Sequence, residues 1–335
     1  MQDIIKYNKQ MIEDIKQIII NSRKKTIYQV NNTMLDAYWN IGKIIVENEQ
    51  KGNIKAEYGK QIIKELSKEL RKTLGKGFSI SNLFNMRRFY LTYQKFQTVS
   101  GKLSWSHYCE LLSISNEGER KFYEKECINS NWSVRELKRQ IETSLYERIL
   151  LSGGKHNKQK VYELAKKGQS LNKPEDILKE PYVFEFLNIK ENKPILEKKL
   201  EEKLVKHIEE FLLELGKGFM FVGTQQRITI DNTHYYVDMV FYNKFLKCYV
   251  LIDLKIGSMK PEYAGQMNMY LNYYSNEINE EDDNKPIGII LCKGNKDVVM
   301  EYALGGLSNN VFASNYTYYI PGKDELINEV EKALN

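Results

Sequence analysis

The first half of the chain carries its apolar residues at helical spacing. Ile4, Ile5, Ile12, Ile15, Ile18 and Ile19 recur every three to four positions, which predicts a helix over residues 3–22. The same period continues through Met34, Tyr38, Ile41 and Ile45, and again through Ile62, Ile63, Leu66 and Leu70, predicting helices over 30–49 and 58–74. Gly75 and Gly77 interrupt it, and Ser79 or Ser81 can cap a following helix through Leu83, Met86, Phe89 and Tyr90. Two more helices are expected around 107–112 and 133–149. The second opens on Ser133 with Glu136 three residues on, the pattern of a reciprocal capping pair.

Residues 151–173 form a seam. The stretch SGGKHNKQK is small, polar and basic, and Pro174 and Pro181 follow. Beyond Pro194 the pattern changes type. An amphipathic helix is predicted over 195–215, ended by Gly216, and then come three short β-branched and aromatic runs at 219–230, 235–242 and 248–254. Asp231-Asn232 and Asn243-Lys244 supply the turns between them. Pro261 starts a helix through 274, Pro286 precedes the buried-looking strand GIILC, and 296–304 reads as helix. The expected fold class is α/β, a mixed sheet flanked by helices, preceded by a mainly α-helical domain for which a winged-helix-like form is one option. The expected divisions are a helical docking domain at 1–150, a linking or wrapping segment at 151–194 and the α/β domain at 195–335.

A length of 335 residues suits two domains, and 42% hydrophobic with 28% charged residues is a globular balance. No apolar run approaches the ~20 residues a membrane span requires. The opening MQDIIKYNKQ lacks the features of a secretory leader. Cys109, Cys127, Cys248 and Cys292 form no CxxC pair, which argues against structural zinc and disulfides and points to a reducing cytoplasm. The net charge of +6 is unevenly spread: residues 1–150 hold 26 Lys+Arg against 17 Asp+Glu, and 151–335 hold 24 against 27. Within 51–100 the ratio is 11 to 3. A basic half of this kind fits docking onto a polyanion, and a Lys-rich solvated surface accounts for it equally.

Two acids fall inside apolar strands. Asp238 lies in VDMVFY and Asp253 in VLIDLKIG, with Lys255 two residues on. Burying a carboxylate in such a run is costly unless it is paired or binds a metal. Residues i and i+2 of a strand share a face, so Asp253 and Lys255 point together. If the two strands pair so that Asp238 meets that face, two carboxylates and an ammonium converge. That set suits phosphodiester hydrolysis, because carboxylates are hard ligands for Mg²⁺ (or Mn²⁺) and an ammonium can steady charge on phosphorus. A salt-bridged structural pair at a strand end is the alternative.

The strings FLLELGKGFMFVGTQQRITI, YYVDMVFYN, CYVLIDLKIG, KPEYAGQMNMYLNYY and GIILCK resemble the YhcG-type PDDEXK nuclease family. GKGFSISNLFNMRRFY, LSWSHYCELL and WSVRELKRQIETSLYERI resemble that family's amino-terminal domain. The resemblance implies a restriction-endonuclease-like core with Asp238 as first acid, Asp253-x-Lys255 as second motif, and Gln266 on the next helix as an added site residue. Relatives often place Glu where this chain has Asp253. The superfamily also commonly adds an acid from the preceding helix, and among Glu197, Glu201 and Glu214 the choice here is Glu197.

Lys260, Gln225 and Arg227 are candidates to flank the same cleft and touch a nucleic-acid backbone. Arg87, Arg88 and Tyr90 fit a helix laid against phosphates, or a core of Phe89, Tyr90 and Tyr93 with solvated arginines. Trp105, His107 and Trp132 read as packing residues. The expectation is therefore a metal-dependent endonuclease acting on DNA rather than RNA, with no membrane partner and with a homodimer or a protein partner allowed. The rivals are a non-catalytic nucleic-acid- or partner-binding protein, and a subunit of a restriction- or toxin-like assembly.

Overall fold

A computed structural model describes residues 2–51, 56–96, 99–152, 158–189, 195–293 and 310–334. The chain parts into two compact units, Met1–Arg120 with Cys127–Leu137, and Lys121–Glu126 with Lys138–Asn335.

The described residues of the first unit are helical and include no strand, so no wing accompanies them. Helix α1 runs unbroken from Gln2–Lys51, where two helices were expected, because residues 23–29 contain neither Gly nor Pro. Helix α2 is Ala56–Leu74 and α3 is Ile80–Thr92. Ser79 caps α3 by accepting the Asn82 N–H at 3.2 Å. Helix α4 is Trp105–Leu111, and the chain continues through α5, Glu117–Ser130, and α6, Val134–Glu142. Helix α5 escaped the sequence reading because its face is sparse, with Phe122, Tyr123 and Cys127 among charged residues.

Ile45, Ile63, Leu83 and Met86 make one core of this unit. At Gly42 of α1 a Cβ would lie 2.1 Å from the Met86 carbonyl, so only glycine admits this approach of α3. Phe89 packs its ring 5.2 Å from Tyr93, 5.3 Å from Trp105 and 5.1 Å from Tyr108. His107 is a packing residue as expected: its Nδ1 meets Ser104 and its Nε2 lies 3.0 Å from the Trp132 carbonyl.

The second unit is built on a six-stranded mixed sheet in the order β1-β6-β5-β4-β3-β2. The strands are β1 Tyr182–Val183, β2 Phe219–Ile230, β3 Thr233–Asn243, β4 Cys248–Lys255, β5 Ile287–Cys292 and β6 Asn310–Thr317. Strands β2, β3 and β4 form the antiparallel meander read from the sequence, whereas β4, β5, β6 and β1 are parallel. Asp231 and Asn232 both take positive φ, 45° and 62°, as the tight β2–β3 hairpin requires. Beyond α8, Lys158–Lys167, helices α9, Glu197–Lys206, and α10, Ile208–Leu215, belong to one face with Met239, Phe241, Val250 and Ile252. Helix α11, Pro261–Tyr273, covers the other with Val240, Leu251 and Ile290. The single helix expected over 195–215 is broken at His207. The helix expected at 296–304 lies outside the described residues.

The units divide earlier than residue 150, because helix α7, Leu145–Leu151, is buried within the second unit. Arg148 there donates to both oxygens of Glu214, to the Thr143 carbonyl at 2.7 Å and to the Pro181 carbonyl at 3.1 Å. Arg139 reaches the same carboxylate at 3.2 Å, and Glu214 accepts the Val183 N–H at 3.0 Å. Residues 174–187 belong to the second unit. They lay β1 along β6 and tie Glu180 to Asn315 Nδ2 at 2.7 Å. The two-residue β1 and the half-polar β6 carry too little alternation to be read from sequence.

Candidate active site

The register of the sheet sets Gln225, Asp238, Asp253 and Ile290 along one lateral row. Thr224 and Gln226 face Met239 and Val237, which brings Gln225 level with Asp238. The β3–β4 ladder ends at Met239–Ile252, so its next step brings Asp238 level with Asp253, and Asp253 is paired with Ile290. Strands β3 and β4 separate at this step. The Leu254 N–H, released from the ladder, donates to Asp238 Oδ2 at 2.9 Å. A carboxylate therefore sits where a strand has left a backbone donor unpaired.

Asp253 is 2% exposed. Its Oδ2 lies 2.8 Å from Lys255 Nζ, and that ammonium also lies 3.3 Å from Glu197 Oε1. Lys255 sits 5.2 Å over the Tyr263 ring of α11. From β2, the Gln225 amide donates to Asp238 Oδ1 at 3.3 Å and to Glu201 Oε2 at 2.7 Å. Glu197 and Glu201 are four residues apart on α9 and so share a face. The sheet and α9 together gather four carboxylates, one amide and one ammonium.

Excess negative charge governs the electrostatics. Burial, and then the charge of Asp238, push the Asp253 carboxyl up to about 7 against the opposing pull of Lys255. Burial alone would lower the Lys255 ammonium, but Asp253, Asp238 and Glu197 outweigh it and hold it above the ordinary lysine value. Burial, with the charge of Asp238, also raises Glu201 despite its bond from Gln225. A buried carboxylate raised by burial and by a second carboxylate beside it is a suitable lodging for a cation, whose charge offsets that repulsion. Among the described residues no three His, Cys, Asp or Glu side chains form a ready metal cage. The fit is of two carboxylates that leave other positions open to water or substrate, as oxygen-rich Mg²⁺ sites do.

The residues expected from sequence distribute unevenly. Asp238, Asp253, Lys255, Glu197 and Gln225 come together. Gln266 is one step removed, donating to the Tyr270 hydroxyl, which donates to the Tyr236 carbonyl at 3.2 Å. Lys260 is at the rim, 5.8 Å from the Tyr263 ring and 3.6 Å from Glu262. Arg227 stands two residues along β2 from Gln225, exposed. Glu214, the third helix acid considered, belongs to the buried arginine cluster. Arg87 of the first unit does not stand free for phosphate: its Nε donates to both oxygens of Glu49 at 3.0 and 2.8 Å. Arg88 is exposed, while Phe89 and Tyr93 are core.

Glu201 and Tyr270 were not chosen beforehand. The signal for Glu201 was its four-residue offset from Glu197, and only the position of Gln225 decides between them. Tyr270 gave no signal. Cys248 and Cys292 are buried as read, with burial pushing both thiols up to about 12. All four cysteines are free. Among the described residues no helix is long and apolar enough to cross a membrane.

Residues 175–334 match the family model described as the YhcG PDDEXK nuclease domain, and residues 14–148 match the DUF1016 N-terminal domain. The chain is 38% identical over 353 residues to the Escherichia coli (strain K12) protein named "Putative nuclease YhcG", covering 96% of this chain and 93% of that one. A crystal structure of a repair endonuclease from Pyrococcus abyssi aligns at 13% identity with a TM-score of 0.26, over 38% of this chain and 49% of that chain.

Proposed function

The chain belongs to the YhcG PDDEXK nuclease family, and from that premise we propose that it hydrolyses phosphodiester bonds of DNA with a divalent cation, Mg²⁺ or Mn²⁺. The observation that carries the proposal is that Asp238 and Asp253 stand level on neighbouring strands, one step past the last paired residues Met239 and Ile252, with Lys255 Nζ 2.8 Å from Asp253. Asp238 and Asp253 are the ligands. When bound, such an ion polarises the phosphoryl group and lowers the pKa of a coordinated water.

The protein's own groups do the rest. Lys255 is held as an ammonium by three carboxylates, so its part is to hold phosphate oxygens and stabilise charge developing on phosphorus, not to accept a proton. Gln225 fixes Asp238 and Glu201 relative to each other, which keeps the Asp238 carboxylate turned toward Asp253. Gln266 and Tyr270 form a hydrogen-bonded wall on the α11 side. Gln225, Arg227 and Lys260 line the approach for the substrate backbone. The basic amino-terminal unit adds phosphate affinity through exposed cations of α2 and α3, Arg88 among them. DNA rather than RNA rests on kinship alone. The free thiols fit residence in a reducing cytoplasm.

The test is Asp253→Asn in the full chain with Mg²⁺ and duplex, single-stranded and branched DNA. Cleavage is expected to fall by roughly 10³-fold or more with DNA binding retained. Wild-type protein that cuts none of these with either ion would overturn the proposal in favour of a binding protein, or of a subunit inert without its partner.

A further inference from the structure

Between α11 and the far end of the β2–β3 hairpin lies an open groove with a volume of about 630 Å³. Asn268, Asn272 and Asn276 line it from α11 and the turn that follows, and Thr229 and Ile230 line it from β2. Local propensity does not account for the asparagines. An asparagine in a helix competes for nearby backbone groups, so three at intervals of four residues oppose the helix they stand on. The helix also widens into a π turn at Tyr274–Ile278, where Asn276 reaches the groove. Residues that break a local rule together around one cavity point to function.

The lining dictates what the groove can take. A carboxamide carries donors and an acceptor side by side, the pattern that meets the edge of a nucleobase. Met269, Tyr273 and Ile230 supply apolar surface for the faces of such a ring. No lysine or arginine lines the groove and its one charged residue is Glu277, so phosphate is unsuited to it. The volume suits a ligand of nucleoside size. A base within a duplex has its pairing edge occupied, so the edge these amides would meet is open only in an unpaired one.

Position connects the groove with the acidic row. Thr229 stands four residues along β2 from Gln225, or about 13 Å. Arg227, exposed, stands midway, where a cation can meet the intervening backbone.

We infer that the groove is a base-holding subsite, which receives an unpaired nucleobase of the strand whose phosphate lies on the row of Asp238 and Asp253. The inference rests on the nuclease reading and narrows it to nucleic acid that has unpaired nucleotides beside the cut. At 3.4 Å per stacked nucleotide, the held base is within about four nucleotides of the scissile phosphate. A free nucleoside brings the same ring but forgoes the contacts of its strand with Arg227 and the row.

Fluorescence anisotropy of the full chain in chelator, which withholds the ion, tests it with single-stranded DNA and an abasic strand of equal length. Free nucleosides serve as competitors. Asn272→Ala with Asn276→Ala removes two exposed amides and favours the helix, so circular dichroism is expected to stay as in the wild type. The double variant is expected to bind the base-bearing strand roughly tenfold more weakly and the abasic strand unchanged. Equal losses on both strands would make the groove a backbone contact, and no loss on either would leave it to some other ligand. Nucleosides that compete as tightly as the strand would make it a small-molecule pocket. Each of these results overturns the inference. Cleavage is followed separately with Mg²⁺: a wild type that cuts DNA but shows no such difference counts against the groove alone. A wild type that neither cuts nor binds either strand takes the nuclease reading with it.

Discussion

Asp253 is the residue at which structure and chemistry are most tightly bound. Its pKa is raised by burial and by Asp238, so the folded chain holds its proton to higher pH than the unfolded chain does. Between about 4 and about 7 the folded state then binds more protons, and metal-free stability falls as pH rises through that window. Asp253→Asn removes the cost and is expected to raise metal-free stability at pH 8 by roughly 1–3 kcal/mol, as read by urea unfolding in chelator. No gain would mean the carboxylate is better compensated than the row implies. The same linkage predicts that metal uptake weakens as pH drops below about 7, since ion and proton compete for Asp253. Glu201→Gln is expected to cost roughly 10-fold in metal affinity or cleavage, and Glu197→Gln only a small factor, because Gln225 joins Glu201 alone to Asp238. Equal losses in the two variants would undo that distinction. Asp238, Asp253 and Lys255 were legible in the sequence because buried charge in an apolar strand is an anomaly that demands a reason. Glu201 was not, because helix phase had to be fixed to within one turn and a helical Glu is ordinarily just solvated.

At the level of elements, the second unit depends on contacts that no local pattern announces. Glu214 is fully buried on α10 and meets Arg148 of α7, Arg139 of α6 and the Val183 N–H of β1. Burial alone would raise its pKa, but Arg148, Lys179 and Arg139 outweigh it and hold the carboxyl at about 2. A depressed carboxylate contributes stability above its unfolded value near 4.5, and that contribution is lost as pH falls toward 2. Glu214→Ala strands two arginines and a lysine in the interior and is expected to cost about 3–5 kcal/mol, measured by chemical unfolding at pH 7. A loss under ~1 kcal/mol would mean water already reaches the cluster. The sequence showed α7 and the 174–187 segment only as a helix tail and a linker, since what places them is an ion cluster spanning residues 139 to 214. Strands β2, β3, β4 and β5 were readable, because each is a β-branched or aromatic run bounded by turn residues. Helix α5 and strand β6 were not, as their apolar positions are too few to set a period.

On the scale of the whole molecule, a basic helical unit and a nuclease-family unit share one chain. Affinity for duplex DNA is expected to fall steeply with salt. Lys64→Ala, Lys68→Ala and Arg88→Ala, all at exposed positions of α2 and α3, should each flatten the slope by about one. Arg87→Ala should instead act mainly through its lost partner Glu49, changing stability and leaving the slope alone. Fluorescence anisotropy across a salt series separates the two behaviours, and an unchanged slope in all three exposed variants would remove this face from the DNA contacts. The central claim is narrower: one divalent ion held jointly by acids from β3 and β4. Anomalous diffraction from crystals of the full chain soaked in Mn²⁺ examines it without reference to any substrate. The account predicts a peak coordinated by both Asp238 and Asp253. A peak elsewhere, or carboxylates turned apart with no ion between them in Mn²⁺-saturated crystals, would contradict it.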